Sequence, residues 1–460
     1  MQLRIRQIGV DSAPTDVTRL EALERVVPLE IVEEVLTDHH AHQQRCRKLS
    51  MHQVVYLVIA MNLFAKERLA LVLERLLHTW RWLFAPEEVS SPNDSAIHQR
   101  RVQLGVAPMV ALFHRVCRPL ATKQTRGAFL FGLRKMVMDS KVFNLCDCPR
   151  LVRYFGKPKG RGKAAFPQAR LVTLEEVGTH ATVDAGIWPL AFHERRGARR
   201  LVRSVGEGDV VFLDCGLSSA EMLRVLQNQG AHVIARLSAH VKPRLVRRLA
   251  DGTALVWLVP TQGSAHPKEQ GVLVRLITYT IEDPTNPGHR KTYRLVTTLL
   301  DPQRYPAKIL AVCYHERWDI EETYDELEVH LLHGSAPLRS QTVTGVLQEI
   351  YALLIAHYAV RALMHEAAVR ADTDPDTLSF TATLTLVIEA IRDFQLAAPC
   401  LHELLFDRLL REIASHRVQQ RLPRSNPRVV KRKMSNFPLK RYSNQGSRTG
   451  LPYRRAIHLI

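Results

Sequence analysis

Two aspartates each follow an apolar run with the composition of a β-strand. Asp139 ends the run MVMD and Asp214 ends the run VVFLD, and small or polar residues come directly after both. Ligand sites in open α/β sheets collect at the carboxyl ends of strands, so these two carboxylates are candidates for one binding site. Either aspartate could instead begin a turn or cap a helix, since both are ordinary uses of this residue.

A third carboxylate, Glu321, lies in a segment with helical periodicity, YHERWDIEETYDELE, which covers residues 314–328. At about 100° per residue, Arg317, Glu321 and Glu328 fall on one stripe with the first residue of the segment, Tyr314. The apolar positions form a neighbouring stripe that should anchor the helix: Ile320, Tyr324, Leu327 and Leu331. The polar stripe taken alone is equally compatible with a solvated helix face.

The elements around these carboxylates follow the order of a mixed α/β protein with a helical beginning. Apolar residues recur three and four positions apart through residues 17–120, which predicts helices. From about residue 130, short strand patterns alternate with a helical one. A second group of strand patterns, interrupted by turn signals, covers about residues 241–300 and predicts an antiparallel β insertion. Helical patterns return after Pro306.

The charge of the chain favours a polyanionic partner. Its 460 residues include 64 Lys and Arg against 45 Asp and Glu, a formal net charge of +19, which makes nucleic acid the first partner to test. Residues 411–460 hold 13 Lys and Arg and one acidic residue. A second basic stretch, between Cys148 and Arg170, has no acidic residue and contains three glycines. We interpret it as a phosphate-contacting loop, with an unbound solvated loop as the alternative, and its central cations are Lys157, Lys159, Arg161 and Lys163.

Cysteine usage and hydropathy predict a cytoplasmic protein without a membrane partner. The seven cysteines are scattered and do not form a disulfide framework, which fits a reducing compartment. The first residues lack the apolar core of a signal peptide. The most apolar stretches are too short, or too interrupted by polar residues, for a transmembrane helix.

Taken together, Asp139, Asp214 and the run Tyr314-x2-Arg317-x3-Glu321 resemble the Asp-Asp-Glu (DDE) transposases of bacterial insertion sequences. The resemblance is to the insertion-sequence-four group, whose signature is Y-x2-R-x3-E-x6-K. The intervals of 75 and 107 residues between successive carboxylates fit this group, as do DSKVFNLCDCPRLVRYFG, AFPQARLVTLEEVGTHATVDAGIWP and VVKRKMSNFPLKR. The likeness extends from about residue 30 to 441. It departs at the last signature position, where Glu328 replaces lysine.

The resemblance implies an α/β fold with a ribonuclease H-like catalytic core that an antiparallel β insertion interrupts. A helical N-terminal domain that binds DNA ends would precede the core, and a basic C-terminal tail would follow it. The expected boundaries are 1–125 for the helical domain, 130–240 for the first part of the core, 241–300 for the insertion, 301–415 for the second part of the core with the Glu321 helix, and 416–460 for the tail.

The resemblance also implies a function, that of a transposase. It would cut the terminal inverted repeats of an insertion sequence in a Mg²⁺-dependent reaction and transfer the 3′-hydroxyl into target DNA, as a homodimer on DNA. Asp139, Asp214 and Glu321 would hold two Mg²⁺ ions, which Mn²⁺ could replace, because bridging hard oxygen ligands suit such a pair. Tyr314 and Arg317 would contact the DNA backbone. Trp318 would stack on a base, unless it simply packs.

Two other functions remain open from the sequence. An anion at position 328 would repel DNA if its side chain faced a phosphate, which motivates a catalytically impaired DNA-binding protein on a transposase fold. The other alternative is a nuclease that cuts DNA without joining it.

Overall fold

A computed structural model describes residues 21–42, 49–76, 93–159, 164–260, 271–282, 291–315, 319–334, 336–418, 424–425, 447–448 and 453–460. The helices are α1 (Glu21–Glu24), α2 (Leu29–Asp38), α3 (Met51–Leu63), α4 (Leu69–Leu76), α5 (Asp94–Leu104), α6 (Ala107–Val116), α7 (Pro149–Phe155), α8 (Glu194–Leu201), α9 (Ala220–Asn228), α10 (Ala307–His315), α11 (Asp319–Asp325), α12 (Val343–Arg370), α13 (Phe380–Leu396), α14 (His402–Ser415) and α15 (Tyr453–Ala456). A π-helical segment, Glu326–Leu331, directly follows α11.

The strands are β1 (Phe129–Leu130), β2 (Leu133–Asn144), β3 (Gln168–Glu176), β4 (Ala181–Pro189), β5 (Asp209–Leu213), β6 (His232–Arg236), β7 (Arg244–Arg248), β8 (Ala254–Leu258), β9 (Val272–Ile281), β10 (Lys291–Thr297), β11 (Arg424–Ser425), β12 (Ser447–Arg448) and β13 (Ile457–Leu459). The chain is therefore a mixed α/β protein, as predicted. It divides into two compact units, of which the first contains residues 1–127, 140–193 and 321–417 and the second contains residues 128–139, 194–320 and 418–460.

The first unit is organised around helix α12. Its central residues, from Ile350 to Val360, are all buried, and helices α3, α6, α13 and α14 pack against it. By length and composition α12 could cross a bilayer, but 83% of its most apolar window is buried inside the protein, which is typical of a core helix. Helices α3 and α6 of the predicted N-terminal region thus share a hydrophobic core with α13 and α14, because all four pack on α12.

Polar contacts reinforce this core at its edge. The guanidinium of Arg101, on α5, is 7% exposed and donates to the side chains of Gln348 and Ser340 at 3.3 and 3.1 Å and to the carbonyl of Gly345 at 3.1 Å. A buried guanidinium is costly unless its donors are satisfied, and these bonds connect α5 to the first turn of α12. Strands β3 and β4 form an antiparallel hairpin in the same unit.

The second unit contains a sheet that changes from parallel to antiparallel pairing. Strand β5 pairs in parallel with β2 on one side and with β6 on the other, and α9 connects β5 to β6 and packs on β6. Strand β10 pairs antiparallel with β6, and the order continues through β9 and β8 to β7, all antiparallel. The predicted antiparallel strands between residues 241 and 300 are confirmed, and β10 joins them to the same sheet as β5.

Strand β13 also belongs to this sheet. Strand β13 pairs antiparallel with β9, and the ring of Tyr453, on α15, stacks on His315 with centroids 4.6 Å apart. The segment predicted as a basic tail therefore ends in ordered structure. Its central residues, 426–446, lie outside the described residues.

Candidate active site

Asp139 lies on β2, and Asp214 directly follows β5. The two strands pair in parallel from Arg134 opposite Asp209 to Val137 opposite Phe212. Continued for two more residues, this register would set Asp139 opposite Asp214. Because side chains alternate along a strand, Asp139 points to the face of the sheet to which Val137 points. Both carboxylates are partly buried, and their sharing of one site stays a prediction.

The two aspartates do not occupy equivalent positions on their strands. Asp214 directly follows the last residue of β5, as predicted, whereas Asp139 is an interior residue of β2, which continues to Asn144. The expectation that Asp139 ends its strand was wrong. The polar residues after it alternate with apolar ones, and Phe143 is buried, so the strand continues past the point where β5 stops.

A tight turn after β5 orients the Asp214 carboxylate. Its Oδ1 accepts the backbone N–H of Leu217 at 2.9 Å, and its carbonyl accepts the N–H of Ser218 at 3.0 Å. A Cβ at Gly216 would lie 3.2 Å from both carboxylate oxygens, so glycine leaves the space that this carboxylate occupies. The Arg195 side chain holds the turn from outside by donating from Nε to the Gly216 carbonyl at 2.6 Å.

Tyr314 stabilises the end of β5. Its ring is 3% exposed, and its hydroxyl donates to the carbonyl of Leu213, the residue before Asp214, at 3.1 Å. A buried phenol that satisfies the last strand carbonyl keeps the backbone beside Asp214 in place. This internal partner differs from the predicted contact with the DNA backbone, and that contact stays a prediction.

The helix that carries Glu321 has several polar anchors within the first unit. The hydroxyl of Thr323 lies 3.1 Å from Nδ1 of His180, and that of Tyr324 lies 2.9 Å from the Thr173 hydroxyl. On its apolar stripe, the predicted burial is confirmed for the members whose side chains are described: Tyr324, Leu327 and Leu331. The bonds and the apolar stripe together define the rotation of the helix about its axis.

A buried charged cluster anchors the π-helical segment that follows. Glu326 is 6% exposed, accepts from Nε of Arg361 at 3.0 Å, and lies 2.8 Å from Nε2 of His357. Burial acts in the opposite direction, but the Arg361 charge and the His357 hydrogen bond lower the pKa of Glu326 to about 2. Burial lowers the pKa of His357. The negative charge of Glu326 is thus balanced by the positive charge of Arg361, and the neutral imidazole of His357 donates to the carboxylate.

The side chain of Glu328 forms an ion pair with Lys141. Both side chains are about one quarter exposed, at 27% and 28%. Glu328 lies in the π-helical segment, where hydrogen bonds such as Leu332 N–H to Leu327 O span five residues. This changes the angle between successive residues, and the predicted stripe of Tyr314, Arg317, Glu321 and Glu328 assumed an α-helix. Glu328 therefore has a cationic partner within the protein, and the negative charge expected to face DNA is neutralised.

The remaining predicted site residues are described only in part. Lys157 forms an ion pair with Asp147 at 2.7 Å and donates to the carbonyl of Ala165, and Lys159 is exposed. Among the described side chains, no group of three His, Cys, Asp or Glu could hold a metal ion. The side chain of Glu321 lies outside the described residues, as do Arg161, Lys163, Arg317 and Trp318.

Comparison with known proteins identifies the family. A model of the insertion element 4 transposase N-terminal domain matches residues 17–114, and a model of the transposase DDE domain matches residues 131–359. The chain belongs to the DDE transposases of the insertion-sequence-four group. Its relatives in this family act on DNA, and the family uses divalent metal ions.

Two individual proteins illustrate the relationship. The transposase InsG of insertion sequence element IS4, from Escherichia coli K12, is 26% identical over 421 residues, which are 89% of this chain and 91% of that protein. A solved structure of the piggyBac transposase synaptic complex with hairpin DNA aligns with 86% of this chain and 85% of its own, at 10% identity and a TM-score of 0.40. The structural similarity is too distant to carry an argument about this site.

Sequence reasoning named the carboxylates but missed most of the groups around them. The Glu326 cluster and the pairing of Lys141 with Glu328 have no motif of their own. One sequence signal could have indicated the Glu326 cluster. Glu326 lies beside the apolar positions of a helix, and a charged residue that is buried there needs a partner of opposite charge.

Replacing Gly216 with alanine should damage the transposase without unfolding it. The added Cβ would crowd both Asp214 oxygens, so we expect DNA cleavage to fall by about ten- to a hundredfold, as small displacements of reacting groups do. Cleavage kinetics and thermal unfolding measured together test this. The matched control is Gly206→Ala, where the nearest atom to a new Cβ is 4.0 Å away. Equal cleavage by the two variants would contradict the crowding at Asp214.

A pH dependence of stability should arise from His180, which is buried and has a left-handed φ of 57°. Burial and Arg361 act in the opposite direction, but the charge and hydrogen bond of Asp376 raise its pKa from 6.5 to about 9. Protonated His180 contributes up to about 3 kcal/mol to the free energy of unfolding. This contribution is complete below pH 6.5 and is lost as the pH rises through 9.

Urea unfolding of the full chain at several pH values tests this expectation. The wild type should lose stability relative to His180→Gln between about pH 6.5 and 9. A constant difference between the two proteins across that range would show that His180 is not charged in the folded state.

Proposed function

We propose that this transposase cuts DNA at the terminal inverted repeats of its own insertion sequence and joins the freed 3′-hydroxyl to target DNA. The observation that carries the proposal is the parallel pairing of β2 and β5, whose register, continued by two residues, would set Asp139 opposite Asp214. Membership of the DDE family supports the assignment of the third carboxylate to Glu321.

The donor set suits hard divalent cations. Two partly buried carboxylates on adjacent strands offer oxygen ligands of the kind that Mg²⁺ prefers, and Mn²⁺ accepts the same ligands. Asp139, Asp214 and Glu321 would hold the two ions. When bound, such a pair activates the attacking water or 3′-hydroxyl and stabilises the leaving oxygen.

The protein itself contributes orientation. The Leu217 N–H aligns the Asp214 carboxylate, Tyr314 secures the strand end beside it, and the Glu326 cluster holds the helix of Glu321. Groups held in place before DNA binds need no reorganisation during the reaction, which is the main protein contribution in phosphoryl transfer.

The proposed function also includes a ribonuclease H-like core, an N-terminal domain that binds DNA ends and a homodimer on DNA. The parallel strands β2, β5 and β6, together with the helix between β5 and β6, support a ribonuclease H-like core that contains the antiparallel strands as an insertion. The helices before residue 125 would bind DNA ends, and cutting paired ends would require a homodimer on DNA.

The alternative of a catalytically impaired DNA-binding protein loses its original motivation. It rested on an uncompensated anion at position 328, whereas the carboxylate of Glu328 pairs with Lys141. An ion pair within the protein does not repel a DNA phosphate as a lone carboxylate would.

Removal of either strand carboxylate should abolish cutting and joining. The substrate is a plasmid that carries the gene between its native flanking DNA, and the products are resolved on gels in Mg²⁺ or Mn²⁺. We expect Asp139→Asn and Asp214→Asn to lose at least about a thousandfold in rate while still binding DNA, since the metal ligands would be incomplete. Glu207→Gln, an exposed residue before β5, is the control. Cutting by either aspartate variant would refute the assignment, and nicked products without joined ones would indicate a nuclease.

The Lys141–Glu328 pair can be tested by exchanging its charges. Glu328→Lys alone should place two cations together, lower the unfolding temperature and reduce cleavage. The double variant Lys141→Glu/Glu328→Lys should recover most of the unfolding temperature and most of the cleavage rate. If Glu328→Lys alone strengthened DNA binding or cleavage, the side chain would face phosphate after all.

A further inference from the structure

A cleft of about 440 Å³ adjoins the turn that holds Asp214. Its walls come from α8, from the start of α9 and from the residues after β6 and β8. Ser218 lines it, and the backbone N–H of the same residue donates to the Asp214 carbonyl. The cleft and the candidate active site are therefore two sides of one turn.

The charged residues of this cleft are mainly arginines. Arg195, Arg199 and Arg224 line it, and Glu221 is the single acidic residue among its lining residues, so the cleft has an excess of two positive charges. Arg199 pairs with Glu221 at 2.5 Å, with both side chains about half exposed. This exposure leaves the guanidinium accessible to a further anion.

Helix α8 concentrates positive charge in a way that packing does not require. Its buried residues are small or apolar, namely Gly197, Ala198 and Leu201. Its four arginines are all exposed and form two pairs at i,i+4 spacing, at which like charges repel. One pair, Arg195 and Arg199, faces the cleft, whereas Arg196 and Arg200 do not line it. An anion in the cleft would add to the screening that Glu221 already gives the first pair.

We propose that this cleft binds a phosphate of the DNA backbone, one that is distinct from the phosphate that is cut. Guanidinium groups pair with phosphate through two parallel hydrogen bonds, and the Ser219 hydroxyl, which also lines the cleft, is a short-range donor beside them. The apolar wall, which includes Leu237 and Leu258, fits the sugar of the same nucleotide. This inference rests on the proposed function, because it supplies a second attachment point for the strand that approaches Asp214.

The cleft has a further consequence for the active site. Arg195 donates to the Gly216 carbonyl and also lines the cleft, so it connects the bound phosphate with the turn that holds the Asp214 carboxylate. Occupancy of the cleft would favour the conformation of this turn in which Asp214 is aligned.

The test compares two double variants that lose the same charge. Arg199→Ala/Arg224→Ala removes two arginines from the cleft, and Arg196→Ala/Arg200→Ala removes two from the other pair on α8. Arg195 stays unchanged because of its bond beside Asp214. Binding of a short fluorescent duplex that carries the DNA flanking the gene is measured by anisotropy, in EDTA, over a series of KCl concentrations.

We expect the cleft variant to bind about tenfold or more weakly than the control variant. Its slope of log K against log salt should be lower by about one, because the phosphate that the protein no longer neutralises accounts for about 0.9 of the slope. Equal affinity and equal slope in the two variants would overturn the proposal, since the cleft arginines would then contribute only to the overall charge.

Two further measurements complete the design. The variant Arg199→Lys/Arg224→Lys keeps the charge, so its DNA affinity should lie between those of the wild type and the alanine variant. This result would show that misfolding does not cause the weaker binding. Inorganic phosphate serves as the competing ligand. It could raise the unfolding temperature of the control variant but not of the cleft variant, while the two variants bind DNA equally. That result would show that the cleft binds a free anion and that the DNA assignment is wrong.

EDTA prevents cleavage during the binding measurements. Failure of the proposed reaction would therefore appear separately, in the cutting assay.

Discussion

The parallel register between β2 and β5 is the constraint on which the candidate active site depends. Continued by two residues, it would set Asp139 opposite Asp214, two carboxylates that are 75 residues apart in the chain. A shift of one residue would move one of them to the opposite face of the sheet, because side chains alternate along a strand. The apolar residues before Asp214, from Val210 to Leu213, are completely buried, which is typical of a parallel strand that is covered on both faces.

Two kinds of contact maintain the geometry around this pair. Backbone groups of the turn after β5 bind Asp214 directly, and Gly216 provides the space for its carboxylate. Side chains act more indirectly: Tyr314 completes the end of β5, and Arg195 holds the turn through a carbonyl. Such supporting groups matter because electrostatic catalysis requires charged groups that are already oriented.

The helix of Glu321 is supported by a different chemistry. Within the first unit, its residues and the π-helical segment after it bond to His180, to Thr173, to Lys141 and to the Arg361–His357 pair. Burying a charge is expensive, so a cluster of this kind is stable only in one arrangement that satisfies all of its members. Irregular π-helical segments are frequent at functional sites, and this one follows the proposed catalytic residue within five positions.

Much of the secondary structure could be predicted from local patterns. The strands before and after residue 241, the helix between β5 and β6 and the apolar stripe of the Glu321 helix all follow from periodicity, because burial of one face determines which positions are apolar. The joint core around α12 could not be predicted, since no local pattern states which helix packs on which. The continuation of β2 past Asp139 was missed because its polar residues imitate a strand end.

The sequence by itself determined the family, the candidate carboxylates and the positive charge, because these depend on residue types and their order. Tertiary structure alone decided that β2 and β5 are parallel neighbours, that Glu328 is neutralised by Lys141, and that two of the four α8 arginines line a cleft. Partners of this kind are distant in the chain. They meet only when strands pair and helices pack, and the free energy of that packing belongs to the whole fold and not to any one segment.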